Sequence, residues 1–417
     1  MGLSGTEGGS VKVIIIGGGI GGLTLARACL DLGLAVEVYE KRSLETMLSG
    51  PGGIFIQRNA MRVYEVLQGG NIRDRCYATG GAIQEGGFFS RQGEILYASS
   101  PRAIQEPDLG LCLLRPDLQR ILYEALPPGI VQTDCAFDSF EPEGETVRVT
   151  FQTGQTTVGN VLVGADGLYS GVRARLQGVE RLPAPLYSGM CCWRGYFDAT
   201  GLALDDRYSW AELWGQGDRF GYFHVGGSRW SFYGFTNALP GGDDTAEGGP
   251  IPTLRSRFGN YAAPVPAILE ALAQQDQPIY RDDVYDREPL GSVWGQGRVT
   301  LIGDAAHPVQ PNLGQGGCMA IEDAFELAKY LATAAPGSVA ATLRAFEASR
   351  SDRVTKVFQS SRQVGQLGQA SHPVACFLRN WLYKLLPTWL ADWQFKWLAD
   401  YRPVWPAGFE PVPQTEK

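Results

Sequence analysis

The chain has 417 residues, of which 44% are hydrophobic and 19% are charged, a balance that excludes a largely disordered protein. Its length exceeds the size at which a single hydrophobic core usually divides, so we expect two domains. The formal net charge of −8 argues against a general nucleic-acid-binding protein. Glycine is frequent, with 54 residues and no collagen-like period, so these glycines must serve turns or close backbone contacts.

The first predicted element is a buried strand that runs directly into a glycine-rich turn and a helix. The strand VKVIII covers residues 11–16, and Gly17, Gly19, Gly21 and Gly22 follow in a GxGxxG pattern. Such glycines permit a tight turn, close approach of a pyrophosphate, and close packing of helix on strand. A second strand, AVEVYE, ends on Glu40, which is placed to accept hydrogen bonds from ribose hydroxyls. This unit predicts a dinucleotide site but does not decide between FAD and NAD.

Two later segments each place an aspartate after a further apolar strand. Residues 157–176 contain Asp166 and Gly167 before a helix, and residues 297–331 contain Gly303 and Asp304 before a Pro/Gly loop and a long helix. In open α/β sheets, ligands bind outside the carboxyl ends of such strands. The glycines in the loop 311–318 leave room for a flat ring and free backbone N–H groups to face negative charge.

These three ordered motifs resemble those of the single-component flavoprotein monooxygenases, the aromatic hydroxylase family, over residues 11–365. The resemblance implies an α/β fold with a Rossmann-like FAD-binding domain, NADPH or NADH as co-substrate, and oxygen transfer from a C4a-hydroperoxyflavin. It also implies that Asp304 binds the ribityl chain and that the loop 311–318 lies along the isoalloxazine. The residues that we assign to the cofactor are Gly17, Gly19, Gly21, Gly22, Glu40, Lys41, Arg42, Arg115, Ala136, Asp166, Gly167, Gly303, Asp304, Pro311, Gly314, Gln315, Gly316, Gly317 and Cys318.

Between the second and third motifs, aromatic and β-forming residues alternate in short runs bounded by glycines, a pattern typical of antiparallel strands. We expect this sheet to cover the flavin and enclose a small hydrophobic or aromatic substrate together with O2. Trp193, Tyr222, Phe232 and Tyr233 are the predicted lining residues, and Arg219 is the candidate for orienting the substrate.

The domain organisation follows from these assignments. We expect a flexible leader at residues 1–10 and an FAD-binding domain formed by 11–85, 105–180 and 281–365. An interleaved antiparallel substrate domain would comprise 86–104 and 181–280, and a C-terminal helical tail 366–417.

Within the family, residues 50–60, 281–289 and 310–323 are similar to zeaxanthin epoxidases, which implies epoxidation of a carotenoid. The GQGGC loop is shared with FAD-dependent urate hydroxylases, although Ser231 stands where those enzymes carry a catalytic tyrosine. An aromatic or heterocycle hydroxylase of the phenolic, salicylate or urate type is therefore an alternative. A flavin-dependent reductase or halogenase, and a non-catalytic flavin-binding redox protein, are further alternatives.

The tail places Trp389, Trp393 and Trp397 at helical spacing with basic residues among them. This pattern fits packing on the FAD domain, packing on a second subunit in a homodimer, or peripheral contact with a membrane interface. We found no secretory signal and no apolar run of about 18 residues, so we expect a cytoplasmic protein. The eight cysteines and three histidines show no CxxC pair or metal-ligand spacing, so we expect reduced thiols and no metal site.

Overall fold

The computed structural model of the chain describes residues 11–99, 109–205, 207–275, 277–335, 337–385, 387 and 396–409. Strands and helices alternate in its first part, as the sequence predicts. The strands are β1 Lys12–Ile16, β2 Ala35–Tyr39, β3 Gly53–Gln57, β4 Gly81–Ala82, β5 Gly86–Ser90, β6 Ile95–Ser99, β7 Gly110–Leu114, β8 Val131–Gln132, β9 Phe137–Glu143, β10 Thr146–Phe151, β11 Thr156–Gly159, β12 Val161–Gly164, β13 Leu186–Asp198, β14 Trp210–Trp214, β15 Asp218–His224, β16 Arg229–Asn237, β17 Tyr280–Asp286 and β18 Val299–Leu301. The α-helices are α1 Ile20–Asp31, α2 Leu44–Met47, α3 Arg58–Val66, α4 Asn71–Thr79, α5 Arg115–Glu124, α6 Gly171–Leu176, α7 Pro250–Phe258, α8 Val265–Gln274, α9 Gly316–Ala332, α10 Val339–Gly368 and α11 Pro373–Leu385.

The first layer is a parallel sheet with the strand order β18-β12-β1-β2-β8. Val13, Ile14 and Ile15 of its central strand are fully buried, which explains why that segment is uniformly apolar rather than alternating. The chain leaves β1 toward β2 on one side and places β12 on the other. The carboxyl end of β1 is therefore a topological switch point, where such sheets form a ligand crevice.

The second layer is a seven-stranded sheet with the order β17-β13-β16-β15-β14-β5-β6. All neighbouring strands are antiparallel except β14 and β5. Helices α7 and α8 cover one face, and the other face is turned toward the parallel-sheet domain. Strand β17 belongs to this sheet, so the sheet extends beyond the expected boundary at residue 280; its charged sequence fits its position at the edge.

Two small sheets complete the domain that contains the parallel sheet. Strands β9, β10 and β11 form an antiparallel meander, and β3 and β4 flank β7. Strand β3 lies against the second layer, since a Cβ added to Gly53 would stand 2.4 Å from the Phe223 ring. This contact brings the two layers close together beside the switch point. The expected fold class, a Rossmann-like α/β domain with an interleaved antiparallel sheet and C-terminal helices, is confirmed.

The C-terminal segment packs in two ways. The Trp405 ring packs against Phe325 of α9 with ring centroids 4.8 Å apart, and the Lys356 ammonium lies 4.0 Å from the Trp397 ring centroid. Residues 396–409 therefore pack on the domain that contains the parallel sheet. Trp389 and Trp393 lie outside the described residues, so their predicted stripe with Trp397 is not visible.

Helix α11 packs on the second layer with one face only. On that face, the Arg379 guanidinium lies 5.0 Å from the centre of the Trp214 ring. Its opposite face carries six exposed apolar side chains: Val374, Phe377, Leu378, Trp381, Leu382 and Leu385. Within the described part of the chain, no helix combines the length and apolar character needed to cross a bilayer.

Candidate active site

The three sequence motifs meet at neighbouring strand ends. A Cβ added to Gly17 would lie 2.3 Å from the Ala165 carbonyl oxygen, so β1 and the segment after β12 are in direct contact. Gly21 and Gly303 both abut Ala320 near the start of α9. The GxGxxG turn, the Asp166 segment and the Asp304 segment thus form one continuous site at the carboxyl edge of the sheet.

The turn before α1 is built to receive an anion. A Cβ on Gly22 would lie 2.0 Å from the Gly17 carbonyl oxygen, so only glycine allows α1 to pack this closely on β1. Gly19, by contrast, has open space on the side where a Cβ would point. It caps α1 without any side-chain hydrogen bond, so the first N–H groups of the helix remain available to a phosphate.

Glu40 is held in place at the end of β2. Its Oε2 accepts a hydrogen bond from the Gly18 N–H at 2.9 Å, and its Oε1 accepts one from Arg42 Nε at 2.8 Å. Burial would raise the pKa of Glu40, but hydrogen bonds from Arg42 and Gly18 outweigh it and lower that pKa. The Cys135 N–H donates to the Glu40 carbonyl at 2.9 Å, which places the adjoining Ala136 at the same strand end, whereas Lys41 is exposed.

Arg115 and Asp304 lie close enough for the charge of each to shift the pKa of the other. Arg115 is exposed, and within the described part of the chain its guanidinium makes no hydrogen bond or ion pair. Desolvation by the surrounding protein and the nearby charge of Arg194 lower its pKa, while Asp304 acts in the opposite direction. Desolvation raises the pKa of Asp304, partly offset by His307 and Arg115. An unpaired guanidinium in a partly desolvated crevice is suited to a pyrophosphate.

The Asp304 segment is fixed from behind by a buried carboxylate. Asp323 Oδ2 accepts a hydrogen bond from the Gly303 N–H at 3.0 Å and lies 2.6 Å from His307 Nε2, while Arg350 Nε donates to its Oδ1 at 2.8 Å. Burial opposes ionisation, but His307 and Arg350 lower the pKa of Asp323 to about 2. Asp323 therefore holds the turn that carries Asp304.

The Asp166 segment serves two visible structural tasks. Asp166 accepts hydrogen bonds from the Ser170 hydroxyl at 2.5 Å and from the Val172 N–H at 3.2 Å, so it fixes the start of α6. Burial nevertheless raises the pKa of Asp166. Arg173 in the same helix donates to the Ala305 carbonyl at 3.2 Å. The second motif thereby supports the third.

The loop before α9 presents its backbone and buries its larger side chains. Gly314 adopts a φ of +63°, and α9 starts at Gly316 without a side-chain cap from Gln315. Gln315 is instead buried, and its Nε2 donates to Gln57 Oε1 at 2.6 Å. The Cys318 thiol donates to the Phe55 carbonyl at 3.6 Å, which links the start of α9 to β3. Burial raises the pKa of this thiol to about 12, so it keeps its proton. Gln57 Nε2 binds the Leu313 carbonyl at 2.7 Å.

Of the four predicted lining residues, only one lies on the sheet face opposite this loop. Tyr233 lies on it, with Phe223, Phe235 and Met190 as neighbours. Successive residues of a strand point to opposite faces, and this parity places three of the predicted lining residues on the other side. Those residues, Trp193, Tyr222 and Phe232, pack in the core against α7 and α8. Their side chains therefore point away from the loop, toward α7 and α8.

Arg219 lies on the face turned toward the loop but is only 1% exposed. It forms an ion pair with Glu212 at 3.2 Å and donates hydrogen bonds to Asn312 and Gln369, each at 2.8 Å. Arg219 thus ties the second layer to the loop before α9. Its proposed contact with substrate stays a prediction.

Together these features fit FAD. The α1 turn is open to a pyrophosphate, and Glu40 is a fixed acceptor. Arg115 supplies a cation that has no partner in the described part of the chain, and the loop before α9 is tied to the aromatic sheet face by the hydrogen bond from Arg219 to Asn312. The fold and site therefore define a flavoprotein of the Rossmann type with a separate seven-stranded sheet.

Comparison with known proteins identifies the family. A family model described as FAD binding domain matches residues 10–187 and 262–361. Aurachin C monooxygenase/isomerase from Stigmatella aurantiaca is 34% identical over 385 residues, which cover 92% of this chain and 96% of that protein. Chloroplastic zeaxanthin epoxidase from Solanum lycopersicum is 35% identical over 361 residues, 82% of this chain and 52% of that enzyme, so the chain spans about half of its length.

Solved structures agree. Klebsiella pneumoniae HpxO complexed with FAD and uric acid superposes with a TM-score of 0.83 at 26% identity, covering 94% of this chain and 97% of that one. A salicylate hydroxylase substrate complex has the same fold, with a TM-score of 0.74, 21% identity and coverage of 96% and 99% of the two chains. The chain belongs to the single-component FAD-dependent monooxygenases, the aromatic hydroxylase family.

Proposed function

We propose that this FAD-dependent monooxygenase uses NADPH or NADH and O2 to hydroxylate or epoxidise a small hydrophobic, electron-rich substrate. The observation that carries the proposal is the aromatic sheet face that lies opposite the glycine loop and is tied to it through Arg219 and Asn312. When bound and reduced, FAD supplies the activation of O2; the side chains supply binding, orientation and exclusion of water.

The chain's own groups fit these tasks. The Gly19 turn and Arg115 would hold the pyrophosphate, Glu40 the ribose, and Asp304 the ribityl chain. The first N–H groups of α9, beside Gly316 and Gly317, would stabilise negative charge on the ring edge. Phe55 and Phe223, with ring centroids 4.5 Å apart, pack between the two layers and would limit the access of water to the ring.

Three substrate classes follow from the relatives. The aurachin C monooxygenase/isomerase is matched over nearly its whole length, and this supports oxygenation of aurachin C or a similar compound. The zeaxanthin epoxidases support epoxidation of a carotenoid. HpxO with uric acid keeps a heterocycle hydroxylase as the third candidate.

Anaerobic stopped-flow reduction distinguishes these classes. The FAD-loaded protein is mixed with NADPH or NADH in the presence of a carotenoid, a phenol or a purine. We expect one class to accelerate flavin reduction and, in air, to yield an oxygenated product. A yellow protein that is reduced at one rate with every compound and consumes no O2 would instead be a flavin-binding redox protein.

We also propose that α11 contacts a lipid bilayer, since its outer face exposes Phe377 by 68% and Trp381 by 54%. Its inner face packs on the seven-stranded sheet, where the Tyr383 ring centroid lies 5.0 Å from the Trp214 ring centroid. A bilayer on the outer face would place a lipid-soluble substrate beside that sheet.

Sedimentation with phosphatidylcholine/phosphatidylglycerol vesicles tests this contact. The double substitution Phe377→Ser and Trp381→Ser should reduce the bound fraction at least fivefold, because it removes two large apolar side chains from the stripe. Leu239→Ser, which changes a residue exposed by 85% elsewhere, is the matched control and should leave binding unchanged. In the alternative outcome, the unsubstituted protein binds no vesicles but forms a dimer in analytical ultracentrifugation, and the double substitution abolishes that dimer. This result would show that the exposed face of α11 contacts a second copy of the chain.

A further inference from the structure

Three residues of the second layer stand in one row across neighbouring strands. Glu212 of β14 pairs with Gly221 of β15, and Gly221 pairs with Tyr233 of β16. A Cβ added to Gly221 would lie 2.1 Å from the Tyr233 ring, so the ring lies directly over this glycine. The absence of a side chain at position 221 allows the phenol to reach across β15 to Glu212.

The Glu212 carboxylate has a defined set of donors. Its Oε1 accepts hydrogen bonds from Trp214 Nε1 at 2.5 Å and from Arg219 Nη1 at 3.2 Å, while its Oε2 accepts one from the Tyr233 hydroxyl. The indole and guanidinium N–H groups can only donate, so the ion pair with Arg219 and the hydrogen bond from Trp214 occupy Oε1. The Oε2 atom is left to accept the hydrogen bond of the phenol.

Tyr233 is therefore polarised in one direction. Burial and the Glu212 carboxylate raise the pKa of Tyr233 well above its usual value, so the phenol keeps its proton. That proton is committed to Glu212, and the phenol oxygen retains lone pairs. Tyr233 is partly exposed on the sheet face opposite the loop before α9, the face on which we place the substrate.

We propose that Tyr233, oriented by Glu212, acts as a hydrogen-bond acceptor that selects substrates carrying a hydroxyl or ring N–H donor. This proposal rests on the proposed function, because it concerns the substrate of the same site. It narrows the substrate class from hydrophobic and electron-rich molecules to those that also present a donor. A fully apolar hydrocarbon of the same shape would bind more weakly.

The proposal is tested by ligand binding without turnover. The FAD-loaded protein is titrated with 1-naphthol and with 1-methoxynaphthalene, and binding is followed by the change in the visible spectrum of the flavin. The two probes share a ring system, but only the first carries a donor. We expect 1-naphthol to bind about tenfold more tightly, as one hydrogen bond to a buried acceptor provides.

Two substitutions separate this polarity from simple packing. Tyr233→Phe should bring the affinities of the two probes within about twofold of each other. With Glu212→Gln, Trp214 and Arg219 fix the new amide oxygen, so its NH2 group faces Tyr233 and turns the phenol proton toward the substrate. This variant, which keeps the tyrosine and its volume, should also lose the preference for 1-naphthol.

Each outcome decides the proposal. A preference that persists in Tyr233→Phe, equal affinity of the unsubstituted protein for both probes, or binding of neither would overturn it. The bulk of the methyl group is the same in every comparison, and FAD content and circular dichroism show whether each variant is folded. Because no NADPH or O2 is needed, failure here is distinct from failure of the monooxygenase function, which NADPH oxidation in the same preparation reports.

Discussion

The two glycines that flank the start of α1 allow FAD binding to be separated from folding. At Gly22, an added Cβ would lie 2.0 Å from the Gly17 oxygen, whereas ordinary contact begins at 3.4 Å. With Gly22→Ala, α1 must therefore move away from β1 by about 1.4 Å. Such overpacking costs about 1–3 kcal/mol of unfolding free energy and also displaces the N–H groups that would face the pyrophosphate.

Gly19→Ala is the matched control. Gly19 has a φ of −78°, which alanine adopts freely, and a Cβ there meets no protein atom within 4 Å. The free energy of unfolding of the FAD-free protein should stay the same or rise by up to about 1 kcal/mol. The methyl group would, however, occupy the space that we assign to the pyrophosphate, so FAD affinity should fall at least about tenfold.

Urea denaturation of the FAD-free proteins and fluorescence titration with FAD measure the two effects. We expect Gly22→Ala to lose both stability and affinity, and Gly19→Ala to lose affinity alone. If Gly19→Ala binds FAD as tightly as the unsubstituted protein, the pyrophosphate does not pass over this turn and the assignment of the site is refuted.

Three further predictions follow from the charges and thiols. Asp323 has a pKa of about 2, below its ordinary 3.8, so its contribution to stability is complete above about pH 4 and is lost as the pH falls through 2. Urea denaturation at a series of pH values should show that Asp323→Asn is less stable than the unsubstituted protein by about 2 kcal/mol at pH 6. This difference in unfolding free energy should become smaller as the pH falls from about 4 to 2, and a difference that stays constant would refute the assignment. Arg115→Ala should weaken FAD binding about tenfold without changing the stability of the FAD-free protein, whereas an equal loss of stability would show that the guanidinium has a structural partner. All eight cysteines are buried, so an aromatic disulfide reagent should label none of them in the native protein and eight after denaturation, and rapid native labelling would contradict this packing.

The parts of the site that local sequence encodes were predictable. Each motif is a strand, a turn and a helix in immediate succession, so Gly17, Asp166 and Asp304 could be placed at strand ends without knowledge of distant contacts. The parallel strand order then brings those ends together. The tasks of Asp166 were less visible, because its hydrogen bonds to Ser170 and Val172 depend on the geometry of one short turn.

The residues on each face of the seven-stranded sheet could not be assigned from aromatic content. Strands β13, β15 and β16 are buried on both faces, so an aromatic side chain is favourable at every position along them. Phe232 and Tyr233 are adjacent in sequence, but their side chains point to opposite faces of the sheet. Only the strand parity and register decide between them. Arg219 offered one sequence signal, since a charged residue in a buried strand must face a polar partner. Arg219 pairs with Phe235, so Tyr233, two residues earlier in the same strand, points to the same face as Arg219.

The supporting carboxylates were missed because their partners are remote in sequence. Glu212 acquires its meaning from Tyr233 and Arg219, and Asp323 from His307 and Arg350. Asp323 offered one sequence signal: with Glu322, it forms an acidic pair within an otherwise apolar helix segment, which requires buried positive partners.

We expect the FAD-loaded chain to insert one oxygen atom from O2 into a hydrophobic substrate. The most direct measurement is turnover of the FAD-loaded protein with NADPH under ¹⁸O2 in ordinary water, with the compound that accelerates flavin reduction, followed by mass spectrometry of the product. We expect one ¹⁸O atom in each product molecule and one NADPH oxidised for each. Product oxygen derived from water, or NADPH consumed only to form hydrogen peroxide with every candidate substrate, would contradict the account.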